Sequence, residues 1–134
     1  MSDLTGRCRC GRVSLRARAA PLSVRACHCG DCRKATGAPY SVFLEFALQT
    51  LHWEQEPSGV SCRGVTRRRF CQNCGSPVDY RDDRLPGQTY VLLGMMDEPE
   101  LFEASDHAFT HEALPDVTIP EGKRRHPAFS VERP

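Results

Sequence analysis

Seven of the eight cysteines fall into three short clusters: Cys8-Arg9-Cys10-Gly11, Cys27-His28-Cys29-Gly30-Asp31-Cys32 and Cys71-Gln72-Asn73-Cys74-Gly75. Thiols one or two residues apart can converge from one turn on a single ion. A glycine after the pair permits the positive-φ turn that aims backbone N–H groups at sulfur. Zinc takes four tetrahedral ligands, and a structural site is filled by protein alone. Cys71 and Cys74 supply two ligands, and Cys8 and Cys10 supply two more. Joined, they predict a four-thiolate structural zinc that ties the N-terminal segment to a distant hairpin, where closing a long loop constrains the unfolded chain most. Cys27, Cys29 and Cys32 give three ligands within six residues. Three protein ligands plus a vacant position is how catalytic zinc is held. Two zinc ions per chain are therefore expected, the second on an open site where Cys27, Cys29 and Cys32 carry the chemistry. The same thiols also suit rubredoxin-like iron or an iron–sulfur cluster, and disulfides are a further alternative.

The neighbours of the ligands have their own readings. His28 lies between two cysteines and should point away from the ion if the chain is extended there, serving as a hydrogen-bonding support. Asp31 is a candidate N-cap for a short helix, or a proton acceptor near the open site. Arg33 and Lys34 offset thiolate charge or lie on the surface. Cys62 stands alone, as a small buried hydrophobe or a fourth ligand to the second zinc. The run Arg67-Arg68-Arg69 reads first as a solvated strand face, and otherwise as an anion-recognition patch beside the metal.

The elements that must position these residues are short. Ten glycines and ten prolines are scattered through 134 residues and leave little room for long helices. Strand patterns occur at 13–17, 40–46 and 88–93. Residues 67–70 and 78–80 flank the third cluster as hairpin arms. The one helix expected is Asp31 to Thr36, closed by Gly37. The fold class expected is mostly β, built of antiparallel sheets held by thiolate zinc sites. One domain is expected over 1–134, with an irregular tail from about 115 that packs, frays or serves as an interface arm in a homodimer.

Charge excludes some partners. Eighteen Lys and Arg against 17 Asp and Glu give no bulk electrostatic case for nucleic acid or an acidic membrane. Residues 1–7 contain no apolar signal segment, and no run of about 18 apolar residues could span a bilayer. A cytoplasmic location is expected, where thiols stay reduced and eight cysteines point to metal.

The ordered motifs Gly6-x-Cys8-x-Cys10-Gly11-x-Val13, Cys27-His28-Cys29-x-x-Cys32-Arg33-Lys34, Gly37-Ala38-Pro39-Tyr40 and Phe70-Cys71-x-x-Cys74-Gly75-Ser76 resemble the glutathione-dependent formaldehyde-activating enzyme family, also called the centromere protein V family. Gly94-Met95-Met96-Asp97-x-Pro99 and His107 resemble its later signature. The resemblance implies an Mss4-like β-tent. It implies a structural zinc on Cys8, Cys10, Cys71 and Cys74 and a second zinc on Cys27, Cys29 and Cys32. It also implies a carbon–sulfur lyase that joins formaldehyde, or another carbonyl, to glutathione or a similar thiol. The competing expectation is a non-catalytic zinc module for protein interaction or metal handling.

Overall fold

The computed structural model describes residues 3–134, so Met1 and Ser2 lie outside the described residues. In chain order the elements are β1 (Leu4–Arg7), β2 (Ser14–Ala17), β3 (Ser23–Cys27), α1 (Gly30–Thr36), β4 (Ser41–Ala47), β5 (Leu51–Gln55), β6 (Gly59–Arg63), β7 (Thr66–Phe70), β8 (Pro77–Asp82), β9 (Gln88–Leu92), β10 (Asp106–Ala108) and β11 (Arg124–Arg125). The described residues are mostly β with one α-helix, as expected. Among the described residues no helix is long and apolar enough to cross a membrane.

Two sheets form. The smaller has the order β1-β2-β5, and the larger runs β11-β10-β3-β4-β9-β8-β7-β6. Pairing is antiparallel except where β10 meets β3 and β11, which are parallel. Strand alternation explains how one sheet serves two compartments. On β4, Leu44 and Phe46 are fully buried in the core that also takes Val13, Leu15, Val78, Val91 and Met95. The intervening Phe43 points to the other face and packs with Tyr90, Leu92 and Cys32. Both faces of β4 are thus covered, which accounts for its nearly continuous apolar run. Cys8 and Cys71 belong to the first compartment, and Cys27, Cys29 and Cys32 to the second.

Gly6 joins the small sheet to the chain after β9 through an antiparallel bridge to Met96. A Cβ at Gly6 would lie 2.7 Å from the Met95 carbonyl oxygen, so only glycine allows this approach. Helix α1 ends at Gly37, which is left-handed at φ 76° and donates its N–H to the Arg33 carbonyl. The helix starts differently from the expectation. Its N-cap is Cys29, whose sulfur accepts from the Cys32 N–H at 3.3 Å, and Asp31 lies inside the first turn. A cysteine already fixed at the cluster displaces the aspartate from the cap.

The tail is packed. β11 pairs with β10 through Asp106↔Arg124 and His107↔Arg125. The Asp106 carboxylate, buried, accepts from Arg124 Nε at 2.8 Å and Nη2 at 2.9 Å, and His126 Nε2 lies 2.8 Å away.

Candidate metal centres

The Sγ atoms of Cys8, Cys10, Cys71 and Cys74 all lie within 4.8 Å of one another. Two of the separations, Cys8–Cys10 and Cys10–Cys71, are 3.6 and 3.7 Å. Tetrahedral zinc with bonds of about 2.3 Å requires sulfurs about 3.8 Å apart. The donor set and its spacing fit a closed four-sulfur site. The turns that build it follow the expectation, because Gly11 and Gly75 adopt φ 84° and 78°. Backbone N–H groups point at the sulfurs, as with Val13 N to Cys8 Sγ at 3.2 Å. Hydrogen bonds from the Ser76 hydroxyl and N–H draw the Cys74 thiol down to about 5. The knuckle sits between β7 and β8, and the Cys8–Cys10 turn sits between β1 and β2. The site therefore fastens one sheet to the other.

Cys27, Cys29 and Cys32 also bring their sulfurs within 4.8 Å of one another. Cys27 ends β3, Cys29 caps α1 and Cys32 is in its first turn. Hydrogen bonds from Cys27 and Cys32 hold the Cys29 thiol far below its ordinary value. Three sulfurs this close repel one another as thiolates, and a cation between them would favour loss of all three protons. Both groups could hold a metal ion.

Around the second group the structure settles the neighbouring residues. His28 is fully buried and turned away from the sulfurs, with Nε2 2.9 Å from Nδ1 of His107. Its ring also stacks on Tyr40 at 5.0 Å. Burial, then the neighbouring His107 and Arg33, lower its pKa. The support role expected of it is the position it occupies. Arg33 spans the His28 carbonyl at 2.5 Å and the Glu112 carbonyl at 2.8 Å, which locks the segment on both sides of the cluster. Lys34 is exposed. Cys62 is exposed on β6 and belongs to neither sulfur group. It is neither the buried hydrophobe nor the fourth ligand considered for it.

The basic run departs from the surface reading. Alternation on β7 turns Arg68 toward the cysteines. Its Nη2 donates to Asp31 Oδ2 at 2.8 Å and to Cys32 Sγ at 3.5 Å, and its guanidinium lies over the Tyr80 ring at 5.0 Å. Asp31 accepts a second arginine, Arg63 Nη1, at 2.9 Å. The Arg68 hydrogen bond holds the Asp31 carboxyl below its ordinary value despite partial burial. Arg67 is exposed and pairs with Asp83, while Arg69 forks onto buried Asp79 at 2.8 and 2.7 Å.

The three-cysteine group opens on a cavity of about 550 Å³ on the second face of the large sheet, bounded by Phe43, Tyr80, Tyr90, Phe109 and Phe129. That volume is in the range of small-molecule sites, roughly 300–1,000 Å³. Two of its walls were not readable from motifs. Glu112 places Oε1 3.1 Å from the Gly30 N–H, beside the cluster but 82 residues away in sequence. Among the described residues it is the cavity carboxylate with no arginine on it, since Asp31 is held by two. Phe129, Ser130 and Arg133 come from the tail. The nearest signal in sequence was the arginine and aromatic content of that tail.

Comparison with known proteins agrees with this architecture. A crystal structure of a Rhodobacter sphaeroides protein superposes with a TM-score of 0.57 at 21% identity, covering 75% of this chain and 96% of that one. It shares the fold. No curated protein matches the sequence. The glutathione-dependent formaldehyde-activating enzyme family matches residues 3–112, a span that includes all seven clustered cysteines. The chain belongs to the glutathione-dependent formaldehyde-activating enzyme family.

Proposed function

We propose that the chain is a zinc-dependent carbon–sulfur lyase-like enzyme that joins formaldehyde, or a related carbonyl, to the sulfur of glutathione or a similar thiol. The observation that carries this reading is the three-cysteine group opening on the cavity: three ligands with room for a fourth. The four-cysteine group is the structural zinc site, and its metal contributes folding free energy. Cys27, Cys29 and Cys32 would hold the second zinc, which would supply Lewis acidity beside an incoming thiol.

The residues of the chain do the rest. Glu112, the carboxylate free of arginine, accepts the proton from the substrate S–H. The sulfur lone pair then forms the C–S bond as the carbonyl π pair moves onto oxygen. That oxygen takes the proton back from Glu112, giving the S-hydroxymethyl product with no net loss of atoms or charge. The reverse sequence is the lyase direction. Arg68 holds Cys32 and Asp31 in place, and aromatic side chains line the cavity beside the cysteines. Eight unbridged cysteines suit a reducing compartment such as the cytoplasm.

The test is zinc per chain by elemental analysis, with exchange between free and thiol-bound formaldehyde followed by NMR. Two zinc ions and exchange accelerated only when glutathione is present are expected. One zinc ion and no acceleration would leave a structural zinc module instead.

A further inference from the structure

Residues 113–134 lie past the family match, yet they are fastened against the second cysteine group. Asp106 holds Arg124 and His126 near the start of the returning segment. The Phe109 N–H donates to the Ala128 carbonyl at 2.9 Å, and the Thr110 N–H donates to the His126 carbonyl at 3.1 Å. Arg25 Nη1 donates to both the carbonyl and the hydroxyl of Ser130 at 3.2 Å. At the far end, Arg133 Nε donates to Asp82 Oδ2 at 3.2 Å. The Asp82 side chain is wholly buried, and Arg84 binds it as well, at 2.9 and 2.8 Å.

Fastened this way, Phe129, Ser130 and Arg133 face the cavity above Cys27, Cys29 and Cys32. Phe129 remains 45% exposed, which puts it at the mouth. The Arg133 guanidinium lies 4.0 Å from its ring centre. The Phe109 ring meets it edge-on at 5.0 Å. Phe109 has φ 54° and ψ 45°, a left-handed conformation that is strained for a bulky residue. The strain falls where the family-matched portion hands over to the tail, and the turn there brings the two aromatic rings together.

The charge of the mouth is specific. Arg25, Arg63, Arg68, Arg84 and Arg133 line the cavity, against Asp31 and Glu112 on its surface and Asp82 beneath. The excess is cationic, and the apolar depth suits the stem of a ligand whose sulfur reaches the cysteines. We propose that Phe129, Ser130 and Arg133 form the outer wall of this cavity and select a large thiol bearing a carboxylate over a small or cationic one; this rests on the thiol-binding reading above.

The experiment is calorimetric titration of the zinc-loaded full chain with glutathione and with cysteamine, a small cationic thiol. Wild type, Phe129→Ala and Ser130→Asp are compared, and zinc content and melting temperature are recorded for each. Ser130→Asp sets a carboxylate beside Arg25 and keeps that contact. Wild type is expected to prefer glutathione. Each variant should lose roughly tenfold in glutathione affinity, the size of one interface side chain, with cysteamine affinity unchanged in Phe129→Ala and unchanged or raised in Ser130→Asp. Equal loss for both thiols, or glutathione affinity unchanged in both variants, overturns the wall. If Phe129→Ala loses zinc or unfolds, Ser130→Asp decides. A wild type that binds both thiols equally removes the wall and leaves the function standing. A wild type that binds neither removes the thiol-binding reading itself, and the wall with it.

Discussion

Arg68 donates to the sulfur of Cys32 at 3.5 Å from the same nitrogen that holds Asp31 at 2.8 Å. Three thiolates and one divalent ion leave a net negative charge, and a partly buried guanidinium beside the sulfur offsets it. Arg68→Met keeps the apolar stem over Tyr80 and removes the charge. Metal affinity at the three-cysteine site should fall roughly tenfold or more, as for other residues that hold a ligand in place. Competition with a zinc chelator, resolving one zinc from two, reads this. An unchanged affinity would make Arg68 a packing residue only.

The two sulfur groups should respond differently to the loss of one ligand. Cys71→Ser opens the site that ties the sheets together, so the protein should unfold or aggregate. Cys29→Ser should keep the fold and lose one zinc. Circular dichroism and elemental analysis read both. An intact fold in Cys71→Ser contradicts the structural assignment, and full zinc in Cys29→Ser contradicts the division into two sites.

Glu112→Gln preserves an acceptor for the Gly30 N–H and removes the proton-accepting carboxylate. Turnover should fall by roughly 10²–10⁴ with zinc content unchanged, the usual weight of a positioned acid–base group. A rate within twofold of wild type would assign the proton transfer to solvent.

Asp79 sits fully buried on β8, forked by Arg69 at 2.8 and 2.7 Å and accepting from the Thr89 hydroxyl at 2.7 Å. Arg69 in turn lies 5.0 Å from the Trp53 ring centre, linking the large sheet to the small one. Asp79→Ala leaves the mostly buried Arg69 guanidinium with only the exposed Glu56, at 3.4 Å, as a carboxylate partner. Stability should drop by roughly 3–5 kcal/mol, measured by denaturant unfolding. A loss under about 1 kcal/mol would mean that water replaces the carboxylate without cost.

Acid should release the tail through Asp82. Burial raises its pKa, but hydrogen bonds from Arg84 and Arg133 outweigh that and bring it to about 2, against an ordinary 3.8. A depressed carboxyl stabilises the fold above its unfolded value and loses that contribution as pH falls toward its folded value. Metal loss also destabilises thiolate proteins in acid, so the useful quantity is a difference. The stability gap between wild type and Asp82→Asn should be constant above pH 5, narrow as pH falls through 3.8 and close as it falls through about 2. A gap independent of pH would place its origin in packing.

Much of this arrangement was legible because it is local. Two cysteines in one turn, followed by a glycine, declare a knuckle without any knowledge of tertiary structure. The hairpin around Cys71 and Cys74 and the apolar run of β4 were equally readable. What was hidden depends on distant partners. β3 contains Arg25, and its charge is met by Ser23 and by Ser130 from the tail. Asp31 has the chemistry of an N-cap, but the sulfur of Cys29 already stood where a cap must stand. The direction of Arg68 follows from the register of β7 against β8, which pairs it with Tyr80. Glu112 and Phe129 reach the cavity only after β10 has docked beside β3.

The link between Cys10 and Cys71 also sets a timetable for synthesis. Sixty-one residues separate them. At roughly 5–20 residues per second the ribosome needs about 3–12 s to deliver the second half of the closed site. Cys27, Cys29 and Cys32 emerge together well before that and can capture an ion while Cys8 and Cys10 still wait for their partners. In a zinc-starved cell the nascent chain therefore meets its first ion at the three-cysteine group, before the four-cysteine group is complete. The group that ties the two sheets together is then the later one to fill, once Cys71 and Cys74 have appeared.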